Sequence, residues 1–173
     1  MLNFTDEVVK VVIVVLGLAY AGCAVRQPVQ MQTKFDYSEH KPYTEPGENS
    51  IKGQGFLRQQ GGSVVTCAGS EVAMLPATSF FREAINHLRA GNKPRMEIET
   101  LDPTFKPMIK RAQCDAQGNF SFTKLPDGAW FVLTQVNWIV ARVTQGGTLM
   151  RELTLSGNET TQVLLTEKDF IGR

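Results

Sequence analysis

The sequence predicts a mostly β fold: a single seven-stranded β-sandwich over residues 51–168 with one short inserted helix. Three observations carry this expectation. Asn119, Phe120, Ser121 and Phe122 alternate polar with aromatic, the period of two that marks a half-buried strand. Turn chemistry recurs at short intervals, at Gly61-Gly62, Ala68-Gly69-Ser70, Pro126-Asp127-Gly128, Gly146-Gly147 and Gly157-Asn158. Only Phe80, Phe81, Ala84, Ile85 and Leu88 fall at helical spacing, and they make one short insertion.

In chain order, strands are expected at 53–58, 63–67 and 71–75, the last ended by Pro76. The Gly53-Gln54-Gly55 triplet reads as a bulge in an edge strand. Thr78 or Ser79 can cap the helix, and Gly91 stands where a C′ glycine belongs. Residues 92–107 offer a strand at 96–99 and a turn start at Asp102-Pro103. Strands follow at 109–114 and from Asn119, the latter turning through Leu125 to Gly128. Pro126 presets its φ for that turn, and Gly128 can take a positive φ. A long strand then runs from Ala129 to Val143, Gly146-Gly147 separates it from a strand at 148–155, and 160–166 completes the set. Residues 169–173 read as a tail.

Gly118, Phe120, Phe122, Leu125, Pro126, Gly128 and Trp130 form the pattern Gly-x-Phe-x-Phe-x-x-Leu-Pro-x-Gly-x-aromatic. This pattern resembles carboxypeptidase regulatory-like domains, which are transthyretin-like (prealbumin-type) β-sandwiches. The resemblance implies a Greek-key topology and a non-catalytic accessory or adhesive role. A fold alone names few functions.

Residues 1–22 read as a signal peptide. Val11 to Gly22 is an apolar run of about a dozen residues, the length of a signal core and short of a membrane span. It ends in Ala21-Gly22-Cys23, which resembles a bacterial lipobox, with Tyr20 where that pattern prefers Leu. The resemblance implies lipidation of Cys23, and Ala24 after it implies sorting to the outer membrane, facing the periplasm. Asp6 and Glu7 are foreign to a positive signal start. Initiation at Val9 on a GTG codon would give a compact lipoprotein signal instead. Residues 23–50, with Pro28, Pro42, Pro46 and Gly47 and no periodicity, are expected as an extended linker. Phe35, Tyr37 and Tyr43 depart from its polarity, either as scattered surface aromatics or as a segment that orders on a partner.

With Cys23 assigned to the lipid, Cys67 and Cys114 remain. An even pair in the folded part of an exported protein reads as one disulfide, the alternative being two separate buried thiols.

Catalytic chemistry needs converging groups, and the sequence offers few. The net charge is +1, with no basic stripe and no nucleic-acid motif, so nucleic acid is not an expected partner. His40 and His87 have no metal-ligand partner at helical spacing, and no Gly-x-Ser-x-Gly elbow occurs. Glu97, Glu99 and Asp102 could offer oxygens to Ca²⁺, but not at EF-hand spacing. Neither enzyme activity, metal nor cofactor is expected. Trp130 or Trp138 is available to face a partner or glycan. The expectation is a membrane-anchored binding lipoprotein, a structural or accessory subunit of an envelope assembly such as a secretion or conjugation system, with protein partners. The alternative is a carbohydrate- or small-ligand-binding module.

Overall fold

The computed structural model describes residues 28–96 and 103–172. The expected signal peptide, the lipidation site at Cys23 and the Glu97/Glu99/Asp102 group lie outside the described residues. The strands are β1 (Val29–Gln30), β2 (Asn49–Arg58), β3 (Val64–Thr66), β4 (Glu71–Pro76), β5 (Pro94–Arg95), β6 (Lys110–Gln113), β7 (Asn119–Leu125), β8 (Gly128–Val140), β9 (Val143–Leu155), β10 (Thr160–Leu165) and β11 (Phe170–Gly172). The helices are α1 (Tyr37–His40) and α2 (Ser79–Arg89).

Two sheets pack face to face, the sandwich that the turn spacing predicts. In the smaller sheet β2 is central, parallel to β10 on one side and antiparallel to β7 and then β3 on the other. The larger has the order β11-β9-β8-β4-β6. Nine strands, rather than the seven expected, share the two layers among the described residues, one of them β11 from the expected tail; β1 and β5 form a short parallel pair. Alternate residues point between the sheets: Ile51 and Leu57 of β2, Phe120 and Phe122 of β7, Val163 and Leu165 of β10 meet Val72, Met74, Trp130, Val132 and Val136 opposite. All are at most 6% exposed.

A second apolar layer covers the other face of the larger sheet. Phe80, Phe81 and Ile85 of α2 pack on Phe131 and Met150. Gly91 takes φ +72°, its N–H bonding to Leu88 O, as the sequence predicts; Thr78 stands at the N-cap position, but its side chain makes no capping hydrogen bond.

The Leu125–Gly128 turn does not fold a hairpin. β7 belongs to the smaller sheet and β8 to the larger, so the turn carries the chain between layers. Buried Asn49 fixes it, donating from Nδ2 to Leu125 O at 3.1 Å and to Asp127 Oδ1 at 2.8 Å. Trp130 Nε1 donates back to Pro126 O at 3.3 Å. Cys67 and Cys114 sit at two further crossings, β3 to β4 and β6 to β7. They are joined in a disulfide with Cα atoms 5.8 Å apart.

Four expectations are corrected. The described part of the expected linker is not an extended tether: residues 28–48 form a strap folded on α2, and 49–50 open β2. Glu83 accepts from the backbone N–H groups of Gln32 and Thr33 at 2.7 and 2.6 Å, and Glu39 accepts from Ser79 N at 2.7 Å. Glu39 therefore caps α2 from outside, while the Thr78 hydroxyl is engaged by His40. The long strand ends at Ala141-Arg142, a turn in which both residues have positive φ, and Gly146-Gly147 lies inside β9. Gly53 and Gly55 are in a central strand rather than an edge. A Cβ on Gly53 would meet Phe120 Cζ at 2.3 Å, so the glycine is there for the ring to lie over it. Residues 169–172 are not a loose tail: β11 pairs with β9, and Arg151 clamps buried Asp169 through two 2.8 Å hydrogen bonds.

Candidate functional site

Both faces of the larger sheet are covered, so open sites arise where layers end or stay bare. The β8–β9 hairpin runs to Val140 and Val143, whereas β2 opposite stops at Arg58. Past that point the core-facing side of the hairpin has no sheet across from it. A cleft of about 300 Å³ opens there, lined by Leu57, Arg58, Trp138, Gln145, Gly146, Glu167 and Phe170.

Gly146 is the floor. Its φ is +85°, and a Cβ would stand 2.0 Å from Val136 O and 2.9 Å from Trp138 Cζ3. No side chain fits, so the half-buried Trp138 ring lies against bare backbone. Gly147 plays the corresponding part for β11, since a Cβ there would strike Gly172 O at 2.3 Å and Phe170 Cε2 at 2.9 Å. The two glycines thus seat the two aromatic walls. Phe170 keeps 42% of its surface exposed.

The rim is polar. Glu167 Oε1 accepts from the Arg58 backbone N–H at 2.6 Å. Its own backbone N–H and that of Arg58, helped by the Arg58 charge, hold its carboxyl below the usual carboxylate range, so it is ionised at neutral pH. An anionic acceptor, a guanidinium and the Gln145 amide therefore surround two aromatic rings.

A larger groove, about 810 Å³, lies on the bare face of the smaller sheet and is lined by Lys52, Gln54, Asn119, Ser121, Gln162 and neighbours. It has no aromatic platform, because Phe120 is only 5% exposed. The smaller cleft holds the richer recognition chemistry despite its size.

The predicted site residues separate cleanly. Phe120, Phe122, Leu125, Pro126 and Trp130 are buried structure, and Gly118 and Gly128 take φ +80° and +135°. A Cβ on Gly128 would meet the Tyr43 ring, which makes an edge contact with Trp130 at 5.0 Å. Of the two tryptophans offered to a ligand, Trp130 is fully buried and Trp138 is the one presented. His40 is 0% exposed and held by Asp36 O and Thr78 Oγ1, while His87 lies 3.5 Å from Glu83. No group of three or more His, Cys, Asp or Glu is placed to hold a metal ion among the described residues. Nor is any helix among them long and apolar enough to cross a membrane. Arg58, Gln145, Glu167 and Phe170 were not singled out from sequence. The only pointer to them was Gly146-Gly147, which carried no mark of close approach as opposed to a turn.

No family model and no curated protein sequence matches the chain. Among solved structures it is similar to one from Pseudomonas aeruginosa described as a "putative carbohydrate binding protein". Identity is 26%, the match covers 78% of this chain and 99% of that one, and the TM-score is 0.63. Looser overlap is found with the major pilin subunit of Bacillus cereus, at 9% identity over 70% of this chain and 30% of that one, TM-score 0.41. The pilus backbone of Streptococcus pneumoniae overlaps at 10% identity over 68% and 40%, TM-score 0.31. Neither pilin overlap is close enough to carry an argument. The chain is a β-sandwich whose fold matches nearly the whole of the Pseudomonas structure.

Proposed function

We propose that this chain is a non-enzymatic binding module of the bacterial cell envelope whose ligand is a carbohydrate, taken in the Trp138–Phe170 cleft. The cleft carries the reading: aromatic walls beside an ionised carboxylate and an amide. A pyranose ring offers an apolar C–H face to an aromatic ring and hydroxyls to the polar rim, and both kinds of partner converge here. The likeness to a protein described as a putative carbohydrate binding protein, over nearly all of that protein, supports the same ligand class. The pattern from Gly118 to Trp130 supports membership of the carboxypeptidase regulatory-like group, in which such domains are accessory modules. The Ala21-Gly22-Cys23 sequence supports a lipid anchor at Cys23, on the periplasmic face of the outer membrane. Two or more acyl chains there would hold the module stably.

The test is a panel of immobilised glycans probed with the wild-type domain and with Trp138→Ala. Binding that weakens roughly tenfold or more in the variant, which stays folded at the assay temperature by circular dichroism, is the expected result. A panel that retains nothing, or a variant that binds as well as wild type, overturns the reading.

A second reading, a structural or accessory subunit of a secretion or conjugation assembly, is favoured by the hairpin tip. Ile139, Val140 and Val143 are 75%, 53% and 56% exposed, and together they make an apolar end. Site-specific cross-linking from position 140 in intact cells separates the two. A discrete protein adduct supports assembly, and its absence alongside glycan binding supports the first reading.

A further inference from the structure

The bare face of the smaller sheet and the aromatic cleft share two strands, and this gives the ligand a length. β2 and β10 are parallel and in register, Lys52 beside Gln162 and Gln54 beside Leu164. β7 completes the rows with Ser121 beside Lys52 and Asn119 beside Gln54. Because Ile51, Phe120 and Val163 point into the core, these six side chains stand on the outer face. Further along both strands in the same direction come Arg58 and, just past β10, Glu167, the rim of the cleft. Lys52 to Arg58 is six residues, a track of about 20 Å at strand rise.

Gln54, Asn119, Ser121 and Gln162 in the groove each both donate and accept, beside the donor Lys52, the acceptor Asp115 and the apolar Leu164. Amides and hydroxyls match sugar hydroxyls, which do the same. Two of its amides are pre-positioned: Gln54 Nε2 donates to Gln117 O at 2.9 Å, and Asn119 Nδ2 donates to Asp115 Oδ2 at 3.0 Å. Asp115 also accepts from the N–H groups of Gln117 and Asn119, which fixes the turn forming one wall. Side chains already held in place lose less freedom when a ligand arrives. Lys52 and Asp115 offset each other in charge, so the surface suits a neutral ligand.

We infer that the ligand is an extended neutral polysaccharide, one unit seated between Trp138 and Phe170 and its neighbours laid along the Lys52–Gln54–Asn119 face. This rests on the carbohydrate reading of the cleft and adds to it a polymer and a second contact surface. The experiment is calorimetric titration of the whole domain with ladders of one to six units of glucose and of N-acetylglucosamine. The same ladders are run on a Lys52→Ala, Ser121→Ala, Gln162→Ala variant, whose three changes are at exposed positions. A second variant, Ser121→Arg, obstructs the groove without removing its amides.

In one of the ladders, affinity is expected to rise roughly tenfold with each unit that adds about two hydrogen bonds, until the track is filled. Both variants should flatten that rise and leave binding of the shortest sugar unchanged. Short sugars that bind while longer ones bind no tighter, or a rise that survives both variants, overturns the extended track and leaves the cleft reading standing. Failure of both ladders at every length overturns the cleft reading itself.

Discussion

Replacing His40 tests whether the strap from residue 28 to 48 is part of the fold. The ring is fully buried between Phe35, stacked at 3.9 Å between centroids, and Phe81, edge-on at 5.6 Å. Asp36 O can only accept, so Nδ1 carries the proton and donates to it at 2.6 Å. Nε2 is then left to accept from Thr78 Oγ1 at 2.8 Å. His40→Ala removes two hydrogen bonds, at about 1 kcal/mol each, and a ring stack of about 1 kcal/mol. The loss is then roughly 3 kcal/mol before any cavity is counted, or about 6–12 °C in melting temperature for a domain of this size. His40→Gln, which keeps one donor and one acceptor, should cost less than half as much. Acid adds a second signature. Burial pushes the His40 pKa below its ordinary value of 6.5, partly opposed by the Asp36 carbonyl and the charges of Glu39 and Asp36. The folded state therefore binds this proton less readily than the unfolded chain. The protein keeps its full stability above pH 6.5 and loses it as the pH falls below that value, until the folded imidazole itself titrates. The other described groups with shifted pKa values are carboxylates with ordinary values of 4.5 or lower and Tyr43, Arg82 and Lys110 with ordinary values of 10 or higher. Between pH 7.5 and 5.5 the effect of these shifts thus isolates His40. Thermal melts followed by circular dichroism should show wild type falling over that interval and His40→Gln nearly flat. Parallel pH profiles for the two proteins, or His40→Ala melting within about 2 °C of wild type, would refute the reasoning.

Two further perturbations probe other parts of the frame. The Cys67–Cys114 bridge closes a loop of 47 residues, so a double Cys→Ala variant should lose about 4 kcal/mol in urea unfolding; a loss below about 1 kcal/mol would mean the crossings hold each other without it. Asp169→Asn unpairs a bidentate Arg151 contact at a carboxylate only 8% exposed, so it should cost about 2–3 kcal/mol and loosen β11, read as faster amide exchange at Ile171.

What the sequence disclosed follows from the range of the interactions involved. The helix was legible because its signals are local: five apolar residues at helical spacing and a glycine at C′. The sandwich core was legible because a strand writes its buried face at every second position, as Phe120 and Phe122 do. The strap was not legible, since its prolines and polar residues describe a linker equally well. What folds it are hydrogen bonds to partners about 40 and 50 residues away, its own Glu39 to Ser79, and Glu83 of α2 to Gln32 and Thr33. The Ala141-Arg142 turn was missed for a different reason. Neither residue favours the positive φ that both adopt, so the glycine pair five residues on drew the boundary instead. The cleft was hidden by that same substitution of roles, because Gly146-Gly147 read as a chain break rather than as room for two aromatic rings.

The cleft can therefore be traced to a mismatch in strand length. β8 and β9 have 13 residues each, and β2 has 10, so one layer of the sandwich outlasts the other. The inward alternation of β8 continues regardless, past Val136 to Trp138 and Val140, and delivers apolar side chains where no opposite sheet covers them. A protein under no other demand would trim the hairpin or make its end polar, since exposed apolar surface invites association. Here the overhang is reinforced: two glycines hold aromatic rings beside it, β11 is clamped to its edge through Asp169, and the turn at its tip keeps two residues in a strained conformation. Several independent features would have to be lost to close the overhang. That concentration of otherwise unhelpful features at one end of an ordinary sandwich is the physical argument for placing the proposed binding site there and not in the buried motif from Gly118 to Trp130.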